Sequence, residues 1–366
     1  MNKSLGIGLI GYGGIGRLHA LCYRMLPLVY PELGPIHVVG VVAKSPATIA
    51  RANRELGNII ATTDLDTLLD HPEVTLIDCC APTDDHYAIS TATLTANKAL
   101  YCEKPLTANQ AQSEELRLLA EQTGMTVGVH YHFRAIPALQ EARRRIEQGL
   151  LGEVIGFQMR YYRASNLRTD RPLSWRFLGP SSGVLIDLGS HLIDMTQHLL
   201  GPISQVAAFP RTIHAQRRNH SGALVAISAD DDVRLEVELA QGGRGTLVAS
   251  KVVAGAGDDL RIEAYGTQGS LIFDTTQPNG IQIASATSGS QWVNMQSRAT
   301  LQATLPGSET PTATLHWHLT AIAEFIEAWR HGHVPPTDLR AALQTDRVIH
   351  AAQQSALSDN RTIPIT

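Results

Sequence analysis

The first third of the chain alternates short apolar runs with amphipathic stretches. Leu5–Ile10, Val38–Val42, Leu76–Cys80, Ala99–Cys102 and Thr126–Val129 are apolar almost throughout and bounded by Gly, Pro or polar residues. Such runs predict parallel strands covered on both faces, since a half-solvated strand would alternate. Helical patterns lie between them. Ile15–Met25 follows the first run, and Ser45-Pro46 reads as an N-cap with proline in the first turn of Ala47–Leu56. Thr107-x-x-Gln110 reads as a capping box opening Ala111–Gln122, which Gly124 ends. This alternation predicts an α/β fold with a doubly wound parallel sheet.

After about residue 130 the texture changes. A helical pattern, Ile136–Gln148, precedes a long strand, Val154–Tyr162, a polar loop, Arg163–Ser182, and a helix, Val184–Leu200. Val206–Ile213, Leu224–Ala229, Val233–Leu239, Gly245–Val252, Leu260–Ala264 and Ser270–Phe273 then follow with no helix between them. They predict a C-terminal α+β domain with a large, mostly antiparallel open sheet. Residues 284–312 read as a polar surface excursion, and helices near Leu315–Arg330 and Leu339–Ala356 close the chain. The expected domains are residues 1–130 and 131–366, with the last helices packing back on the first domain.

Composition narrows the function. Among 366 residues, 43% are hydrophobic and 17% charged, enough to build two cores, and the formal net charge of −4 disfavours a nucleic-acid partner. There is no apolar run of about 18 residues, so no membrane span is expected, and Leu5–Ile10 is too short to be a leader. Cys22, Cys79, Cys80 and Cys102 form no disulfide framework; Cys79 and Cys80, adjacent inside an apolar run, read as small buried thiols of a reducing cytoplasm.

Gly11-Tyr12-Gly13-Gly14-Ile15-Gly16 places G-x-G-x-x-G between the first strand and a helix. Gly11 suits the tight turn, Gly13 lets the backbone approach a pyrophosphate, and Gly16 lets helix and strand pack closely. The helix N-terminus supplies free N–H groups to the phosphates. An acid after the second strand would hold the ribose of NAD; here the chain continues Ala43-Lys44-Ser45, with Arg51 and Arg54 on the next helix. Lys44 and Ser45 suit a 2′-phosphate, so NADP is favoured slightly over NAD. Loss of the acid removes a repulsion without proving an attraction.

Two constellations carry acid–base chemistry. Glu103-Lys104-Pro105 follows the strand Ala99–Cys102, beyond the carboxyl ends of the strands, where ligands of such folds bind. A lysine amine there can exchange a proton with a substrate hydroxyl during hydride transfer. Asp187 and His191 stand four apart on a helix with Gly189 between them, and a carboxylate beside an imidazole makes an acid–base pair. Two such ligands without a third are thin support for a metal, and none is expected. His86, after Ala81-Pro82-Thr83, is placed to face the cofactor. His316-Trp317-His318 and His331-Gly332-His333 read as surface or interface residues, and Arg168, Asp170 and Arg171 as a solvated loop.

Taken together, Gly11-x-Gly13-x-x-Gly16, Ala81-Pro82-Thr83 with His86, Glu103-Lys104-Pro105 and Asp187-x-Gly189-x-His191 resemble the Gfo/Idh/MocA family, which includes glucose–fructose oxidoreductase and inositol dehydrogenases. Gly149-x-x-Gly152-Glu153-Val154 and Gly266-Thr267-x-Gly269-Ser270 resemble segments of that family's second domain. The resemblance implies an NAD(P)-dependent dehydrogenase or reductase of a sugar, cyclitol or related polyol. Lys104 would be the catalytic lysine beside the nicotinamide, Asp187 and His191 would bind substrate hydroxyls, and His191 would be the acid–base partner. Glu103 and Pro105 would shape the nicotinamide pocket, Trp175-Arg176 would lie near the cofactor, and Arg134 at the domain junction. A homodimer or homotetramer through the second-domain sheet is also implied. Ala43 departs from the family's acid, and Pro180-Ser181-Ser182-Gly183 from its glycine run. A glycosidase that uses NAD transiently, and a non-catalytic dinucleotide-binding regulator, are the alternative readings.

Overall fold

The computed structural model describes residues 4–107, 109–170, 173–179, 181–219, 221–287, 289–294 and 313–365. Arg171, most of the polar excursion beyond residue 294 and Pro180 of the departing segment lie outside them. The chain divides into two compact units, Met1–Ala135 with Ser297–Leu343, and Ile136–Gln296 with Gln344–Thr366.

The first unit is wound around a six-stranded sheet ordered β3-β2-β1-β4-β5-β6. The strands are β1 (Leu5–Ile10), β2 (Ile36–Val42), β3 (Ile60–Thr62), β4 (Val74–Cys79), β5 (Ala99–Cys102) and β6 (Val127–Val129), and every pairing is parallel. Helices α1 (Gly14–Val29), α2 (Pro46–Leu56), α3 (Asp66–Leu69), α4 (Thr83–Thr95) and α5 (Gln110–Thr123) connect them. All of β1 is buried because both faces are covered. On one face Tyr23 and Leu26 of α1 meet Leu319, Ile322 and Phe325 of the helix Ala313–Arg330; on the other, Leu94 and Leu116 pack over Ile77 and Leu100. Helix α5 departs from the expected capping box. Its N-cap is Asn109, whose side chain accepts from Ala111 N at 2.8 Å, while the Thr107 hydroxyl turns to Ser113. Gly124 ends α5 in the left-handed conformation, as its sequence position suggests.

The second unit starts with α6 (Pro137–Glu147), β7 (Val154–Tyr162) and α7 (Ser190–Leu200). It continues with β8 (Ile203–Arg211), β9 (Gln216–Arg218), β10 (Leu224–Ala226), β11 (Asp232–Leu239), β12 (Arg244–Ser250), β13 (Asp259–Gly266), β14 (Gly269–Asp274), β15 (Gly280–Ser285) and β16 (Gly289–Asn294). After α8 (Ala313–Arg330) and α9 (Leu339–Leu357), β17 (Ile363–Pro364) completes a nine-stranded sheet ordered β16-β15-β14-β13-β7-β12-β11-β8-β17. Only β7 with β12 is parallel within it. In β11 the inward positions Val233, Leu235, Val237 and Leu239 are buried and alternate with more exposed ones, the mark of a sheet covered on one face. The run expected at Leu224–Ala229 shortens to β10, which pairs with β9 in a separate ribbon.

Candidate active site

In the first unit, the loop after β1 is built around four glycines with different tasks. Gly11 has φ +91° and its N–H donates to Val42 O at 2.8 Å; a β-carbon there would meet the Cys80 carbonyl at 2.7 Å. A β-carbon on Gly16 would stand 2.0 Å from the Gly11 carbonyl oxygen, so α1 presses directly on the turn it leaves. Gly13 and Gly14 face open space, with no heavy atom within 4 Å of an added β-carbon. Helix α1 also begins without a side-chain cap, unlike α2, whose Ser45 hydroxyl accepts from Thr48 N at 3.1 Å. The free first-turn N–H groups and the positive end of the helix dipole therefore face an open cradle, which fits a pyrophosphate. Tyr12 turns away from it, buried and donating to Glu55 Oε2 at 3.1 Å, and only its backbone lines the loop; Ile15 is half-buried.

At the end of β2, Ala43 is buried and Lys44 reaches both carboxylate oxygens of Asp85 at 2.8 Å. The Ser45 hydroxyl is engaged in capping α2. Beyond β4, Ala81 and Pro82 are half-buried and Thr83 begins α4. His86 does not present a ring edge to open space. It is buried, with Nδ1 2.9 Å from the Pro105 carbonyl and Nε2 3.0 Å from that of Ala81, so it ties the β4 and β5 turns together. Burial holds its pKa below the ordinary value, and a neutral ring donates to one of the two carbonyls.

Behind the Glu103-Lys104 turn lies a buried polar cluster not anticipated from sequence. His19 of α1 sits with Nδ1 2.8 Å from Asp78 Oδ2 and Nε2 3.5 Å from Glu103 Oε1. Tyr23 donates to the same Asp78 oxygen at 2.9 Å. Burial disfavours charge on His19, yet the two carboxylates outweigh it and hold its pKa at about 10. Glu103 is held below the ordinary carboxylate value, because His19 and Lys104 outweigh its own desolvation. Beside this triad, Tyr101 Oη lies 2.7 Å from His130 Nδ1, and His130 Nε2 lies 2.6 Å from His318 Nδ1. His318, expected at the surface or an interface, is buried and stacks on His132 with ring centroids 4.0 Å apart. Alternating His-Trp-His spacing does not say which face of a helix is inward. Burial, then the His19 charge, lowers the His318 pKa to about 3. Three rings here come close enough to suggest a metal. However, the 2.6 Å between His130 Nε2 and His318 Nδ1 is a hydrogen-bond separation, shorter than two ligand atoms keep on one ion. Arg134 is tied to the Pro336 carbonyl at 2.9 Å.

The second unit gathers the other candidates. Residues Leu185–Gly189 form a π-helical turn ahead of α7, so Asp187 and His191 are not one regular α-turn apart as expected. Asp187 remains partly exposed. It accepts from Lys251 at the end of β12, and Arg176 Nε lies 3.6 Å away. The Arg176 guanidinium stacks 4.3 Å from the centre of the exposed Trp175 ring. His191 is buried, edge-on to Tyr161 at 6.1 Å. Lys251, itself buried, escaped the sequence reading, because a lone lysine after a strand ordinarily marks solvent. Asp230 accepts from Leu185 N at 2.8 Å, and burial raises its pKa to about 6. Arg168 pairs with Asp170 at the exposed surface, and His331 and His333 are exposed as expected.

Comparison with known proteins accounts for both units. Residues 5–131 match the oxidoreductase family's NAD-binding Rossmann fold, and residues 143–365 its C-terminal alpha/beta domain. Levoglucosan dehydrogenase of Pseudarthrobacter phenanthrenivorans is 29% identical over 300 residues, 78% of this chain and 77% of that protein. The NADP(+)-dependent scyllo-inositol 2-dehydrogenase IolW of Bacillus subtilis is 24% identical over 364 residues, 98% of this chain and 95% of its own. Among solved structures, levoglucosan dehydrogenase in complex with NADH and levoglucosan superposes with a TM-score of 0.90 at 25% identity, covering 99% of this chain and 100% of that one.

Proposed function

The chain belongs to the Gfo/Idh/MocA oxidoreductase family, and from that premise we propose which of its residues carry hydride transfer between NAD(P) and a CH–OH group of a sugar, cyclitol or related polyol. The observation that carries the reading is the open, uncapped start of α1 over Gly13 and Gly14, beside the turns that bear Lys44 and Lys104. Gly11, Gly13, Gly14, Gly16 and the backbone of Tyr12 and Ile15 hold the pyrophosphate. Ala43, Lys44 and Ser45 face the adenosine ribose; Ala81, Pro82, Thr83 and Glu103 flank the nicotinamide. The bound dinucleotide supplies the hydride acceptor or donor.

Lys104 takes the hydroxyl proton as the carbinol is oxidised and returns it when a ketone is reduced. His191 and Asp187 bind neighbouring hydroxyls, Asp187 being oriented by Lys251 and Arg176. Trp175 contributes an exposed aromatic face. NADP is favoured over NAD because no acid ends β2, and the Lys44–Asp85 pair is exposed enough to open for a 2′-phosphate. A sugar or polyol is the substrate, levoglucosan and scyllo-inositol being the first to try, since relatives carry those names. The chain is proposed to act as a cytoplasmic homo-oligomer joined through its nine-stranded sheet. The division of labour is a dinucleotide-binding first domain and a substrate-binding second.

The test is a panel of polyols, aldoses, anhydrosugars and cyclitols with each dinucleotide, followed by reduced-cofactor absorbance. Lys104→Ala is expected to abolish turnover while cofactor affinity, read by fluorescence titration, persists. Full turnover in that variant overturns the assignment.

A further inference from the structure

We propose that His19 is a positioning residue for the reaction: a buried cation, clamped between Asp78 and Glu103, that offsets the Glu103 carboxylate and thereby sets the pH range in which Lys104 accepts a proton. The inference rests on the reading of Lys104 as the proton carrier. Its geometry is independent of that reading.

One of the Glu103 oxygens, Oε2, accepts the Lys104 backbone N–H at 3.2 Å; the other, Oε1, is buried with no hydrogen bond and faces His19 Nε2 at 3.5 Å and His130 Nε2 at 3.9 Å. A carboxylate so placed favours positive charge on the adjacent lysine. A counter-charge behind the carboxylate reverses that pull. His19 is the group in position to supply it. Its side chain is wholly buried, its Nδ1 donates to Asp78, and its Nε2 points at Glu103. With the imidazolium in place, Asp78, His19 and Glu103 together carry a single negative charge; with a neutral side chain they carry two.

The other groups facing His19 do not compete for this task. From β4, the Cys80 thiol lies 3.3 Å from Nδ1, and burial pushes its pKa well up, so it stays neutral. From β5, Tyr101 is likewise neutral, its phenol raised by burial and bonded to His130. From β6 and α8, His130 and His318 hydrogen-bond to each other, and His318 is held neutral. Tyr23, on the same helix, donates to Asp78 and leaves His19 alone.

Two measurements test this. Histidine-selective ¹⁵N NMR of the wild-type holoprotein, with His19 identified through its contacts to Tyr101 and His130, should show both ring nitrogens protonated from about pH 6 to about pH 9. A neutral or titrating ring in that window overturns the proposal whether or not a substrate has been found. A protein that gives the imidazolium signal but turns over no polyol condemns the functional reading instead. Second, His19→Gln should move the limb of the kcat–pH profile assigned to Lys104 upward by about half to one unit, with KM and cofactor Kd changed less than about two-fold. His19→Gln with Asp78→Asn, which removes a negative charge as well, should bring the limb part of the way back. A uniform loss at all pH values, with the limb unmoved, means that His19 is merely structural. A stoichiometric divalent metal in the purified protein, bound through His19, would also overturn the proposal.

Discussion

Two single-methyl substitutions separate cofactor binding from folding in the glycine loop. Gly13→Ala adds a β-carbon that meets no atom within 4 Å, and Gly13 has an ordinary φ of −80°. Its folding cost is the weaker N-cap alone, about 0.5–1 kcal/mol, or a Tm lowered by roughly 1–4 °C. In the proposed binding mode the same methyl projects where the pyrophosphate comes closest. Losing one charge-assisted hydrogen bond of about 2 kcal/mol weakens the dinucleotide about 30-fold. Gly16→Ala behaves in the opposite way. Its β-carbon would lie 2.0 Å from the Gly11 carbonyl, which cannot simply retreat, because Gly11 is itself against the Cys80 carbonyl. Overpacking costs about 3 kcal/mol at the upper end, and better helix propensity returns about 1, leaving roughly 2 kcal/mol and a Tm lower by about 4–8 °C. Thermal melting and quenching of protein fluorescence by the reduced dinucleotide read the two effects separately. A Gly13→Ala protein that binds like wild type would show that the pyrophosphate does not lie over Gly13, and the cradle argument would fail with it.

Further outcomes follow from the charges. Lys44→Ala should weaken NADP about five-fold and leave NAD unchanged, since the ammonium, released from Asp85, is proposed to pair with the 2′-phosphate that NAD lacks, and Asp85→Asn should strengthen NADP by a similar factor; parallel losses for both dinucleotides in the titration would refute the NADP preference. Asp230, raised from 3.8 to about 6, gives the folded state stability that is complete below about pH 4 and lost as pH rises through about 6. Asp230→Asn, permanently neutral and still able to accept from Leu185 N, should match wild type near pH 4 and melt a few degrees higher near pH 8; an equal difference at both pH values would exclude Asp230 as the source.

The sequence made the Rossmann half legible wherever a strand, a cap or a special backbone conformation demanded a particular residue. Gly11 needs positive φ and Gly16 needs a missing side chain, so both were readable. Helix α4 was not. Its buried positions include Thr83, His86, Ser90 and Thr93, which leave no apolar stripe to find. β3 and α3, of 3 and 4 residues, are shorter than any period that could reveal them. Asn109 took the cap from Thr107 because the Thr107 hydroxyl found Ser113 first, a choice made by packing rather than by the capping pattern. His318 and Lys251 failed for a common reason. Each is a polar residue whose burial is offset by partners distant in sequence, His130 and Asp187, and no local window contains both members of the pair.

That same pairing assigns roles among the charged candidates. Asp187 shares its carboxylate with the Lys251 ammonium and stands 3.6 Å from the Arg176 guanidinium. A carboxylate so engaged is fixed in direction, and its remaining acceptor capacity suits a substrate hydroxyl better than a free proton. The His191 ring is buried and aromatic-packed, which fixes its orientation in turn. Lys104 differs from both: the electrostatics of its turn are set from behind, by Glu103 and the His19–Asp78 pair. On the proposed reading, orientation is built into the second unit and charge control into the first, and the residue under charge control is the one expected to gain and lose a proton in each turnover.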